Sequence, residues 1–197
     1  MTEPPVPVLL PDAGSPAQPA SLWKPVLLRA LVGLVFGAVT VFWAAPNTAG
    51  MGLAIGLYFL ASAASLSWLL QHLRLAKTNK NFIALALPAG VLAACGFILF
   101  FHASNSFVAW IGAAGLFVLG LGELYLGIKY RGRHLLARDW LTAGIVGIGT
   151  AVVLPFFTEL GPHALLGVAG GGSIVTGALL LLAGLTIRFD AGKPARP

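Results

Sequence analysis

Glu123 is the residue of this sequence best placed to do chemistry. It lies in the run GLFVLGLGELYLGIK (115–129), six residues before Lys129 and with no other acid in the run. A carboxylate among apolar residues is costly unless a cation meets it, and at such depth it can take up and release a proton. Arg29 sits at a comparable depth in another apolar run, six residues after Trp23. We expect the two to approach each other. Functionally, such a pair carries a proton or holds a coupling cation. Structurally, it locks two helices, or Arg29 runs its stem along apolar surface and reaches the aqueous boundary alone.

A second set of titratable side chains falls in short polar links. His102, Glu159 and His163 are the titratable residues of HASNS (102–106) and TELGPH (158–163). Histidine changes charge between about pH 5 and 8, so these residues are candidates for sensing external acidity, set against a plain role as solvated turn residues. Spread over separate links they make a poor ligand pattern, and we expect no metal. His72 and His134 belong to basic links and read as solvated or headgroup contacts. There is no GxSxG, HExxH, P-loop or cysteine pair, Cys95 is alone, and no segment sets a nucleophile beside a base. We therefore expect no enzymatic activity and no cofactor.

The elements that must position these residues follow from composition. Of 197 residues, 58% are hydrophobic and 9% charged, and the mean hydropathy is +0.91. A soluble domain carries about a quarter charged residues, so lipid is the solvent for most of this chain. The net charge of +6 comes from basic residues scattered between apolar runs. They form no continuous patch, which excludes nucleic acid as a partner.

Residues 1–22 carry Pro4, Pro5, Pro7, Pro11, Pro16 and Pro19 and read as a disordered cytoplasmic tail. From Trp23 to Arg188 six apolar segments follow, at about 26–45, 50–70, 82–101, 106–128, 140–157 and 164–187. Each is close to the roughly 20 residues that cross a bilayer as a helix, and none alternates as a barrel strand does. Residues 189–197 form a second cytoplasmic tail. The expected fold is therefore an all-α membrane protein: six transmembrane helices as three consecutive helical hairpins.

All twelve Lys and Arg residues fall on one side of that arrangement. They precede or open the first segment, lie in 71–80 and 129–139, and end the chain. The links 45–50, 102–106 and 158–163 contain none. Positive residues stay inside, so both termini are expected in the cytoplasm. The basic loops attract anionic lipid headgroups.

Internal similarity accompanies the hairpins. RALVG (29–33) matches WLTAG (140–144), GLAIG (52–56) matches GVAGG (167–171), and GLFVLGLGEL (115–124) resembles GLYFLASAAS (56–65). Small residues four apart recur at Gly33/Gly37, Gly52/Gly56 and Gly167/Gly171. In lipid, such faces let backbones approach, either within one bundle or between copies or partners. The run AGGGS (169–173) reads as a broken helix lining a site, or as a tight crossing point. Pro88 is a candidate kink.

The opening basic residue Arg29, the Gly33/Gly37 helix, the turn with Pro46 and the returning GLYFLASAAS helix, repeated three times, resemble the bacterial HdeD-like acid-resistance membrane proteins. The resemblance covers residues 23–188. It implies a six-span protein of the bacterial inner membrane, associated with survival of acid stress, and it supplies no catalytic residues. Arg29 matches the family's opening basic position, where the third repeat has Trp140. Rival expectations are a small proton, ion or solute transporter or channel using Glu123, and an accessory scaffold subunit of a membrane complex. Homo-oligomers or a membrane-protein partner accord with the glycine faces.

Overall fold

Long apolar runs rich in Leu, Ala and Gly satisfy their backbone groups within the segment, and helix is the local outcome. The computed structural model describes residues 19–73, 80–132 and 134–191. It contains α1 (Pro19–Phe42), α2 (Thr48–Leu73), α3 (Lys80–Phe101), α4 (Asn105–Lys129), α5 (Ala137–Val153) and α6 (Gly161–Ala191), with a 3₁₀ turn at Leu154–Leu160. No strand occurs among the described residues. Residues 1–18 of the proline-rich tail, Arg74, Lys77, Arg133, Lys193 and Arg196 lie outside the described residues.

Five stretches, not the expected six, are long and apolar enough to cross a membrane: Leu22–Phe42, Thr48–Leu73, Lys80–Phe101, Asn105–Lys129 and Ala137–Asp190. The difference lies at the 3₁₀ turn. It joins the 17-residue α5 to α6 with no intervening loop, so the fifth stretch runs to 54 residues. Pro155 ends the α-helical pattern, because its ring clashes with the carbonyl four residues back and it offers no N–H. Gly161, at φ +85°, then opens α6 in a conformation that glycine adopts without strain. Residues 19–22 and 189–191, read from sequence as tail, are helical.

The other ends follow local chemistry. Pro46 follows α1 closely and disfavours helix in the residue before it. The Asn47 side chain accepts a hydrogen bond from the Gly50 amide at 2.7 Å and starts α2. Ser104 accepts from the Phe107 amide at 3.2 Å and starts α4.

Consecutive helices pack side by side and α6 returns against α1, so the six close into a ring. The most extensive contacts are α1 with α6, α4 with α5 and α2 with α3, while α2, α4 and α6 also meet one another inside the ring. Neighbours run antiparallel. Thr150 of α5 lies against Gly172 of α6, whereas Ala143 shares a cavity wall with Leu180. In the same way Leu27 of α1 meets Gly184 of α6, and Thr40 meets Gly170. The closest approaches are at glycines. A Cβ on Gly144 would stand 2.6 Å from the Leu124 amide nitrogen, and one on Gly56 would stand 2.9 Å from the Gly96 carbonyl oxygen.

The three glycines of AGGGS have different neighbours, and α6 runs through them unbroken. Gly170 accommodates Thr40 of α1, and Gly172 accommodates Thr150 of α5. A Cβ on Gly171 would meet nothing within 4 Å. Gly33, Gly37, Gly52 and Gly56 all lie in helix contacts, but Gly167 and Gly171 do not. That part of the packing expectation is corrected: at 100° per residue they point outward, and Gly170, Gly177 and Gly184 form the face toward α1. Gly171→Ala is expected to raise stability by up to about 1 kcal/mol through helix propensity. Gly170→Ala should lower it by roughly 1–3 kcal/mol through overpacking against Thr40. Thermal midpoints of the two purified variants in detergent check the pair.

Candidate functional site

Residues 120–123 of α4 project in different directions, and each direction has its own contact. Gly120 fits against Gly144 of α5, Gly122 against the Ala84 carbonyl of α3, and Glu123 points to the axis. On α1, Gly33 lies against the Ser173 carbonyl of α6 and fixes the turn that carries Arg29. Arg29 Nη2 and Glu123 Oε1 form an ion pair, the side chains being 8% and 2% exposed. Their helices stand opposite each other in the ring and the backbones of α1 and α4 do not meet. The pair therefore ties the bundle across its middle.

Beside it lies a cavity of about 30 Å³ lined from α1, α2, α4, α5 and α6. That volume admits about two water molecules. Its lining residues on α6 run from Ala169 to Leu180, roughly 16 Å of helix at 1.5 Å per residue. Its polar lining consists of the ion pair, Tyr58, Ser62, Thr150, Ser173 and Thr176. The Tyr58 ring stacks on Phe36 with centroids 4.3 Å apart, and its hydroxyl bonds the Ser62 side chain one turn on.

Three of the hydroxyls have already committed their proton. Ser173 donates to the Gly170 carbonyl at 2.8 Å, Thr150 to Val146 at 2.8 Å and Thr176 to Gly172 at 3.0 Å. What these oxygens offer the cavity is lone pairs, which accept hydrogen bonds from water. Apolar side chains lie beyond the cavity at both ends. Met51, Ile55, Val108, Leu154, Leu165 and Leu166 are buried on one side, and Leu22, Val26, Leu66, Leu69 and Leu126 on the other.

His102, Glu159 and His163 are all exposed and are not gathered. His102 stands edge-on to Phe107, with centroids 4.7 Å apart. Glu159 borders an open polar basin of about 450 Å³ with Thr48, Asn105 and Thr158, and neither histidine lines it. Among the described residues no three His, Cys, Asp or Glu side chains converge on a metal position.

His134 departs from its reading as a solvated loop residue. Its ring is 9% exposed and stacks on Trp140 at 5.0 Å. Its Nδ1 accepts a hydrogen bond from the Leu136 amide at 3.1 Å, which leaves the proton of the neutral ring on Nε2. Burial pushes its pKa down to about 4. Sequence reasoning also passed over Tyr58, Thr150 and Thr176. Ser173, by contrast, belongs to the AGGGS run read as a site lining, three of whose residues do line the cavity although the helix is unbroken. The available signal for the other three was their place as hydroxyl residues inside long apolar runs, with Ser173 and Thr176 three apart on one helix face.

Two outcomes follow from the charges. Glu123→Ala leaves the Arg29 guanidinium buried and unpaired and should cost roughly 3–5 kcal/mol, whereas Arg29→Met with Glu123→Leu should recover most of that loss. Thermal stability of the single and double variants measures it. For His134, an unfolded chain binds a proton near pH 6.5 and the folded ring does so only near pH 4. Its contribution is full above pH 6.5 and is lost as pH falls toward 4, by up to about 3 kcal/mol. His134→Gln should flatten that part of the stability profile between pH 7 and 4.5. No protein-family model, curated protein or solved structure matches the chain.

Proposed function

We propose that this chain is a non-enzymatic plasma-membrane protein that contributes to acid or envelope stress tolerance, with Arg29 and Glu123 forming its proton site. The observation that carries the reading is the buried pair on the bundle axis, facing a water-sized cavity with acceptor oxygens. The carboxylate is the member of the pair that exchanges a proton, since guanidinium keeps its charge. Water molecules and threonine oxygens supply the next positions in a hydrogen-bonded chain. A larger solute has no room in about 30 Å³, so proton handling is preferred to solute transport. The stress role is what the HdeD-like layout implies.

In this proposal the chain crosses the bacterial inner membrane six times as three hairpins, with both termini inside. The 54-residue stretch supplies two crossings, because α5 and α6 pack antiparallel about the 3₁₀ turn. The regular alternation of close contacts α2–α3, α4–α5 and α6–α1 favours three equivalent hairpins. Lys80, Lys129, Arg131, Arg138 and Arg188 mark the inner end by the positive-inside rule. The outward-facing Gly167 and Gly171 favour a second reading, an accessory subunit that docks on a neighbouring helix.

Proton uptake into dye-loaded liposomes tests the primary reading. Wild-type protein should carry flux above empty vesicles, and Glu123→Gln, at equal incorporation and with unchanged helicity, should lose it. No flux from well-folded wild type would overturn proton conduction. A stoichiometric membrane partner on co-purification would then favour the accessory role.

A further inference from the structure

The antiparallel crossing that seats Leu27 on Gly184 brings the start of α1 to the end of α6. Trp23 has two cations over its ring there, Lys24 Nζ at 5.6 Å and Arg188 Cζ at 5.2 Å from the centroid. Both cations are exposed, while the indole is half-buried. Two like charges gathered on one ring repel, and the negative face of the ring offsets only part of that repulsion. An anion that bridges the two cations balances the arrangement. Asp190 is on the same helix end as Arg188, so the anion must compete with a local carboxylate.

The surroundings select the kind of anion. Leu28, one turn further along α1 from Lys24, is exposed, and so is Leu181, two turns back from Arg188 on the same face of α6. An anionic group held at the end of two apolar helices, with exposed hydrocarbon directly below it, matches a phospholipid rather than a free ion. Tryptophan has the same amphipathic preference for the level of the headgroups.

We propose that Trp23, Lys24 and Arg188 form a binding site for the phosphate of an anionic phospholipid, whose acyl chains lie along α1 and α6. The assignment rests on the membrane-spanning reading of the chain and is independent of the Arg29–Glu123 proton site. It is also separate from the loops 71–80 and 129–139, where the basic residues make a diffuse attraction.

Native mass spectrometry of the detergent-purified full chain tests it, with phosphatidylglycerol, phosphatidylcholine and inorganic phosphate added in turn. Phosphatidylglycerol should be retained about thirty-fold more tightly than phosphatidylcholine, the weight of two basic side chains near an anionic surface. Lys24→Gln with Arg188→Gln should reduce that preference to near unity, with unchanged elution volume and helicity because both side chains are exposed. Trp23→Leu should weaken retention as well, and Lys129→Gln should leave it intact. Equal retention of the two lipids would overturn the proposal. So would displacement by equimolar inorganic phosphate, which would make this a free-phosphate site. Loss of the preference in Lys129→Gln alone would move the lipid to the loop and overturn it equally.

Discussion

Inside a bilayer no water is released when two helices meet, so apolar contact alone gives little reason for them to stay together. What remains is dispersion, which falls off steeply with distance, and therefore close backbone approach. The glycines of this chain meet that constraint at its principal crossings. Gly33, Gly37, Gly177 and Gly184 draw α1 onto α6, Gly56 and Gly96 draw α2 onto α3, and Gly120 and Gly144 draw α4 onto α5. Closure of the ring depends on the first of these crossings, since it joins the two ends of the fold.

In a ring closed this way α2, α4 and α6 meet one another on the inside, while α1 stands across from α4 without backbone contact. Opposite helices α1 and α4 are too far apart for backbone contact, and long side chains must fill the gap. Arginine and glutamate do so as an ion pair. The lock, and the proton site of the proposed function, rest on the same geometry. The pair is buried within the bundle, beside a small cavity that hydroxyl oxygens also line. In the proposed function the structural tie is the device that exchanges the proton.

Much of this is legible in the sequence. Arg29 and Glu123 stood out because a charge in a long apolar run needs a partner, and the membrane character followed from composition alone. The glycine pattern was only half readable. Gly33/Gly37 and Gly52/Gly56 lie in contacts, yet the same spacing at Gly167/Gly171 faces away from the bundle. Spacing defines a stripe on a helix but not which way the helix is turned. His134 was misread for a related reason: its basic neighbours implied solvent, while Trp140 from the first turn of α5 folds over it.

By itself, the sequence determined that the chain is helical, apolar and multi-pass, with its basic residues confined to alternate links, because these properties depend on local composition and order. Tertiary structure decided the rest. It decided that α6 closes onto α1, that Gly170 and Gly172 each receive a threonine from a different helix, and that Tyr58, Thr150, Ser173 and Thr176 converge beside the ion pair. These are outcomes of helix rotation and of contacts between different helices, some of them, like Thr40 with Gly170, far apart in the chain. No local pattern encodes them, since each depends on the packing of all six helices together.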